Sequence, residues 1–588
     1  MSYLISSNIL SPLGLTTAQN VAALRSGRSA LCQHPASELG VADPFAASFA
    51  PVEGTPDLTP FELLCLTSIH DALLRAEPQV DLASPRTLLI LSTTKGNVES
   101  LLDSRPRPLP ADAAQKIADE LGLTTTPVVV CDACISGLAA IILADRLLEG
   151  DVCDTAIVCG ADIPRKFIVS GFQSLKALSA DPCRPFDIDR NGLNLGQAAA
   201  TVVMTRHGRV GQWHVDGSAI RNDAFHLSAP HRQGEGLRQA ICQALQGRDP
   251  QSISLINAHA TATLFNDQME SVALDRAGLT SIPVNGLKGY YGHTMGAAGV
   301  LETIVSARTL QDGYALPTRG FAEPGVSGHV NVIAEEKSVP QGDKTLLKLL
   351  SGFGGCNAAL LLTNGKPSET DTPTPAQAAQ NLTLRTLHKV RITPTSVTLD
   401  GQPLPLQDAT DADILTRIYK LHVGGYPKFY KMDQLSRLGF LAAELLLAQE
   451  AAQPASCTSS QSPAPERFTD RSDRAVIIFN RTSSLHTDAL FAQGIRDAAN
   501  YFPSPSIFLY TLPNILTGEI AIRNHYHGET SLFMLPHRDD ALIRHITLTA
   551  FTDSETRSAL VGWVDYAGDD EFLAEVEVVE TDVTSCAL

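Results

Sequence analysis

The sequence predicts an α/β protein with buried sheets. Three observations carry this reading. Short apolar runs rich in Val, Ile and Leu recur along the chain. Longer segments with helical spacing of apolar residues lie between them, and glycine- or proline-bearing turns mark the changes. Short apolar strands that alternate with helices bury both sheet faces, because the helices of each crossover cover them.

Taken in order, the strand-like runs are residues 88–92, 128–130, 155–159 and 200–204, then 253–256, 348–350 and 358–363. An apolar helix follows the second run over residues 138–148. Between them stands Cys134, in Pro127-Val-Val-Val-Cys131-Asp-Ala-Cys134-Ile-Ser-Gly137. A thiol where a helix begins meets unpaired backbone N–H groups and the positive end of the helix dipole, which favour the thiolate. Residues 366–382 are rich in Pro and Thr and read as a linker. A further unit spans 383–588, with a Pro/Ser/Ala-rich loop near 453–474 that reads as disordered.

The bulk properties exclude several classes. The 588 residues suffice for several domain-sized units. The formal charge of −18 argues against a nucleic-acid binder. No apolar run reaches the roughly 18–20 residues that span a bilayer. The first residues lack the pattern of a signal peptide. Eleven cysteines without regular spacing read as reduced thiols, which points to the cytoplasm.

Three later stretches belong with Cys134. The first is Asn257-Ala-His259-Ala-Thr261-Ala-Thr263-Leu-Phe-Asn266-Asp267-Gln-Met-Glu270. The second is Gly286-Leu-Lys288-Gly-Tyr-Tyr-Gly292-His293-Thr-Met-Gly-Ala-Ala-Gly299-Val-Leu-Glu302, and the third is Ser351-Gly-Phe353-Gly-Gly-Cys-Asn357. Lys288 precedes His293 by five residues and Glu302 follows it by nine. A fourth stretch is Gly171-Phe172 through Ser179, then Cys183 through Gly192. Taken singly, Cys134 reads as a buried thiol and His259 as a core histidine. Cys131 and Cys134 also form a C-x-x-C pair of the redox kind, but the chain length and the downstream histidines weigh against that. The spacing of a zinc site is missing, so no metal is expected.

Over residues 1–365 these motifs, in this order, resemble the elongating β-ketoacyl synthases of the thiolase superfamily. The resemblance implies an αβαβα layered fold of two pseudo-repeats, residues 1–205 with the nucleophile and 206–365 with the two histidines. It implies that Cys134 carries the acyl chain as a thioester and that His259 and His293 bind the malonyl thioester carbonyl. It further implies that Lys288 and Glu302 form an ordering charge pair. The N–H groups of Cys134 and Phe353 become the oxyanion hole, Phe353 and Phe172 gate, and Thr261 and Thr263 contact the phosphopantetheine arm. The implied reaction is decarboxylative Claisen condensation of the acyl thioester with malonyl-acyl carrier protein, in specialised lipid, polyene or polyketide synthesis. No free cofactor is implied, since phosphopantetheine arrives on the carrier protein.

The implied partners are acyl carrier protein and a ketosynthase, chain-length factor or second copy. Arg165, Lys166, Lys176, Arg184 and Arg190 are candidates for carrier docking. The alternative is a non-catalytic, chain-length-factor-like subunit. Two departures stand out. Ala260 and Ala262 replace glycines of the family's histidine motif, a strain if those positions need φ > 0. The Pro-Asn segment expected ahead of Cys134 is missing and residues 101–126 stand in its place. Residues 383–588 resemble the front half of another synthase, a partial thiolase-like half. Tyr501 to Ile522 there matches the missing segment, but no cysteine falls near 531–536. This half is expected to pack on the first unit and to share in the acyl tunnel.

Overall fold

Each apolar run becomes a strand in one of three sheets that share a plan. The computed structural model describes residues 1–103, 106, 109–209, 211–366, 374–406, 413–452 and 467–581. The first sheet holds β1 (Tyr3–Leu10), β2 (Thr87–Ser92), β3 (Val128–Val130), β4 (Thr155–Asp162) and β5 (Ala198–Thr205). Its order is β3-β2-β4-β5-β1, with two parallel and then two antiparallel pairings. The second holds β6 (His214–Asn222), β7 (Leu255–Asn257), β8 (Pro283–Asn285), β9 (Thr345–Ser351) and β10 (Cys356–Thr363). Its order, β8-β7-β9-β10-β6, repeats the pattern.

The third sheet is the same plan again, now in the last third of the chain. It holds β11 (Leu384–Ile392), β12 (Arg474–Asn480), β13 (Thr530–Met534), β14 (Ser558–Gly568) and β15 (Glu571–Thr581). The order β13-β12-β14-β15-β11 has the same two parallel and two antiparallel pairings.

The helices that position the site are α1 (Pro60–Leu74), α2 (Ser136–Glu149), α3 (Lys166–Ser174), α4 (Leu264–Arg276), α5 (Ala298–Gln311), α6 (Gln434–Ala452), α7 (Pro505–Tyr510), α8 (Ile515–Asn524) and α9 (Asp540–Thr549). Helices α2 and α5 lie between the first two sheets and touch strands of both. With α1 outside the first sheet and Glu235–Ala244 outside the second, the layers run α/β/α/β/α. The two inner helices cross on glycines. A Cβ on Gly299 would lie 2.2 Å from Leu138 N, and one on Gly137 would lie 2.7 Å from the Gly296 carbonyl oxygen. Only backbone fits at that crossing, which brings the start of α2 against the start of α5.

The third sheet joins the first edge to edge. Strand β3 pairs antiparallel with β13, Val130 opposite Phe533 and Val129 opposite Met534. The ladder continues as Cys131 N donates to the Leu532 carbonyl at 3.1 Å, and Leu532 N donates to Asp132 Oδ1 at 2.8 Å. Buried ion pairs cross the same junction, Arg146 with Glu529 and Lys95 with Asp488, both at 2.8 Å. Removing one partner of such a pair leaves an uncompensated charge, so the pairs penalise any other docking.

Of the linker read over 366–382, residues 367–373 lie outside the described residues. Its C-terminal part is a helix, Pro375–Gln380, with a Thr374–Gln377 capping box. Of the loop read near 453–474, residues 453–466 lie outside the described residues. Among the described residues no helix is long and apolar enough to cross a membrane.

Candidate active site

Strand β3 ends at Val130, and a single 3₁₀ turn, Ala133–Ile135, carries Cys134 before α2 begins. Ala133 takes φ 48°, a left-handed conformation that turns the chain sharply at the nucleophile. His259 lies just beyond the end of β7. Glu270 on α4 accepts from the backbone N–H of His259 and of Ala260, both at 2.6 Å, and so clamps that turn. Asp162 at the end of β4 clamps the other histidine loop: it accepts from Thr93 Oγ1 at 2.7 Å and from Gly296 N at 2.8 Å.

These clamps bring the three groups together. Cys134 Sγ and one ring nitrogen of each of His259 and His293 lie within 4.8 Å of one another. The imidazoles stand edge to face, 5.2 Å between centroids. Met295 N donates to His293 Nδ1 at 3.3 Å, which places that ring's proton on Nε2. His293 Nε2 and His259 Nδ1 are buried without a hydrogen-bond partner among the described residues. Burial, then the charges of Lys288 and Lys348, with His293 also acting on His259, holds both imidazoles well below their ordinary pKa. Both are therefore neutral, and each carries one N–H to donate.

Lys288 Nζ meets Glu302 Oε1 at 2.7 Å, as the family resemblance implies. The sequence reading missed a second lysine: Lys348 Nζ meets Glu302 Oε2 at 2.5 Å. Burial opposes charge on Glu302, and the two ammonium groups outweigh it, so its carboxyl stays below the usual range. The signal was present in Thr345-Leu-Leu-Lys348-Leu-Leu-Ser351, where a charge interrupts an apolar strand. Three converging donors would also suit one metal ion. The ammonium groups of Lys288 and Lys348 oppose a further cation beside them.

One expectation fails. The helix start was expected to favour the Cys134 thiolate. Burial instead pushes the thiol up to about 12, although Lys288 and the N–H groups of Cys134 and Phe353 pull it down. Desolvation outweighs the dipole here, so the resting group is a thiol that needs a base.

Cys134 and both histidines border a cavity of about 600 Å³, and so do Thr261, Thr263, Phe172 and Phe353. The Phe172 and Phe353 rings stack at 6.3 Å, and the two threonine hydroxyls lie 2.9 Å apart. Ala260 and Ala262 take φ 49° and 63°, the strained geometry that their lost glycines would have relieved. Of the five basic residues, Arg165 bonds Gln197 and the Ala50 carbonyl, Arg184 pairs with Asp187, and Arg190 bonds the Gly325 carbonyl. Lys166 is half-buried beside the Tyr501 ring, and Lys176 is exposed at the cavity mouth.

The last unit reaches the site from behind. Phe508 on α7 packs edge-on to Phe172 at 5.6 Å, and its ring fills the space a Gly171 Cβ would need. Asn514 Nδ2 donates to the Phe353 carbonyl at 2.9 Å. The described cavity lining comes from residues 134–357 alone. Phe508 and Asn514 thus touch Phe172 and Phe353, which line the cavity, without lining it themselves.

Comparison with known proteins agrees with this fold. The family model "Beta-ketoacyl synthase, N-terminal domain" matches residues 10–209, and "Beta-ketoacyl synthase, C-terminal domain" matches 213–322. Nodulation protein E of Rhizobium sp. (strain N33) is 30% identical over 47% of this chain and 70% of its own. The tetracenomycin polyketide synthase ketoacyl synthase alpha subunit of Streptomyces glaucescens is 34% identical over 45% and 65%. Among solved structures, the Xenorhabdus doucetiae ketosynthase ApeO, in complex with its chain length factor ApeC, is 26% identical. It covers 61% of this chain and 97% of its own, at TM-score 0.54. The PfaC keto synthase–chain length factor shares the fold over 100% of this chain and 79% of its own, at TM-score 0.72 and 15% identity.

Proposed function

Because this chain belongs to the β-ketoacyl synthase family, we propose that Cys134, His259 and His293 carry out its condensation in the cavity above them. The protein is a condensing enzyme of the acyltransferase type. The observation that carries the residue assignment is the meeting of one sulfur and two neutral imidazoles within 4.8 Å.

The first half-reaction loads the enzyme. An imidazole of the pair takes the Cys134 proton, and the thiolate attacks the acyl thioester brought by the carrier protein. The N–H groups of Cys134 and Phe353 hold the tetrahedral oxyanion. The C–S bond to the phosphopantetheine arm breaks, and the proton leaves with its thiol. In the second half-reaction His259 and His293 donate to the malonyl thioester oxygen. The bond to the malonyl carboxylate breaks, carbon dioxide leaves, and the electron pair becomes an enolate. Its carbon attacks the acyl–Cys134 carbonyl, a carbon–carbon bond forms, and the Cys134 thiolate departs and takes a proton from solvent to return to the resting thiol.

Thr261 and Thr263 line the path of the phosphopantetheine arm, which the carrier supplies, so no free cofactor is needed. Lys176 is the basic residue best placed to meet an acidic carrier. The third sheet lacks a cysteine after β13 and takes the place of a non-catalytic partner, built into the same chain. The setting is cytoplasmic synthesis of a specialised lipid, polyene or polyketide. Incubation with radiolabelled malonyl-carrier protein tests this reading. Carbon dioxide release should vanish in His259→Ala, and acyl transfer should vanish in Cys134→Ala. Release that persists in the first variant at the wild-type rate overturns the assignment.

A further inference from the structure

Glu302 sits between two ammonium groups, and one of them, Lys348, has no role in the proposed reaction. Lys348 is fully buried on β9. In register it stands beside Asn257 on β7, two residues before His259. Its Nζ bonds Glu302 Oε2 at 2.5 Å, its own strand's Leu349 carbonyl at 3.1 Å and the Ala258 carbonyl at 3.5 Å. Glu302 in turn holds Lys288, five residues before His293. One side chain thus links the turn bearing His259, the helix that follows the His293 loop, and the strand that ends two residues before Phe353.

We propose that Lys348 is a positioning residue for both histidines, fixing Glu302 and the carbonyl before His259 in one frame and adding a positive charge beside the two rings. The inference rests on the decarboxylating role given to those histidines above.

The charges around the rings can be named element by element. Lys288 stands ahead of the His293 loop, Glu302 on α5 and Lys348 on β9. Asp267 and Glu270 lie on α4, Asp162 at the end of β4, and Cys134 ahead of α2. Glu302 neutralises one ammonium and leaves the other uncompensated by it. Burial lowers Lys348 to about 8 with Glu302 opposing, so it remains mostly charged near neutrality. A positive neighbour in a dry site disfavours imidazolium and so preserves the neutral N–H donors.

Lys348→Met and Lys348→Gln test this, with Lys348→Arg as the charge-retaining control. The readouts are carbon dioxide release from malonyl-carrier protein and acyl loading of Cys134, each across pH, with circular dichroism for folding. With the charge gone, protonation of the rings moves to higher pH, so the acid limb of carbon dioxide release should rise by about one pH unit. Its kcat should fall about tenfold or more with KM unchanged, while loading, which draws on one imidazole as base only, should fall less. Lys348→Arg should restore the limb but not the rate. A folded Met or Gln variant with wild-type rate and limb overturns the proposal. So does a proportional loss of both half-reactions, or an Arg variant whose limb shifts like the neutral ones. If the wild-type enzyme releases no carbon dioxide, the histidine assignment fails instead.

Discussion

Gly299→Ala perturbs the crossing on which the site is built. The new Cβ would lie 2.2 Å from Leu138 N and 2.6 Å from the Gly137 carbonyl carbon, both backbone atoms of the facing helix. Contacts between carbon and its neighbours settle near 3.5 Å, so the helices must part by about 1 Å. Two effects oppose each other. Alanine improves helix propensity by about 1 kcal/mol, while overpacking a filled core costs about 1–3 kcal/mol. The contacts are rigid backbone, so the upper end of that range applies and the variant should be destabilised by about 1–2 kcal/mol net. The functional effect is larger. Cys134 stands ahead of α2 and His293 ahead of α5, so parting the helices separates sulfur from imidazole. A misplacement of about 1 Å can cost about 10²-fold in rate. Full condensation should fall by that factor in a steady-state assay, with far-UV circular dichroism unchanged. A variant with wild-type condensation rate and wild-type melting would show that the glycine crossing does not set the site.

Three further outcomes follow from the same geometry. Below about pH 6.5 the unfolded chain protonates His259 and His293 while the folded chain resists, so each histidine removes stability as pH falls, by up to about 1.4 kcal/mol per pH unit. Buried Glu270, pushed up to about 7, acts in the opposite sense, so the effect should be read as a shallower acid limb in denaturant melts of His259→Asn than of wild type. An identical slope would contradict it. Alkylation of Cys134 by iodoacetamide, followed by peptide mapping, should keep accelerating above pH 9, as a thiol pushed up to about 12 requires. A plateau near pH 7 would restore the helix-start thiolate. Phe508→Ala should cost about 3–5 kcal/mol as a large-to-small core change and should speed amide exchange across α3, where Phe508 covers Gly171. Unchanged exchange there would disconnect the last unit from the site.

Much of this was legible in the sequence, and the exceptions share a cause. Cys134, His259 and His293 sit in turns whose glycines, alanines and polar neighbours form contiguous patterns, so the family resemblance that implies their roles can be read from them. The strand runs behave likewise, since a buried parallel strand is a local composition. Lys348 carries no local pattern: its meaning lies in Glu302, forty-six residues earlier and on another element. The pairing of β3 with β13 joins residues about four hundred positions apart and depends on two bare sheet edges meeting. The Cys134 thiol misled for a related reason. A helix start is visible in sequence, but the desolvation that outweighs it comes from side chains brought in by folding.

The most direct measurement follows one acyl group through the site. The enzyme is loaded from an acyl-carrier thioester, the modified residue is located by peptide mass spectrometry, and malonyl-carrier protein is then added. The acyl mass should appear on Cys134 and leave it in step with carbon dioxide release, as an extended β-ketoacyl chain appears on the carrier. An acyl group found on another residue, or one that stays on Cys134 while carbon dioxide is released, would contradict a single shared site.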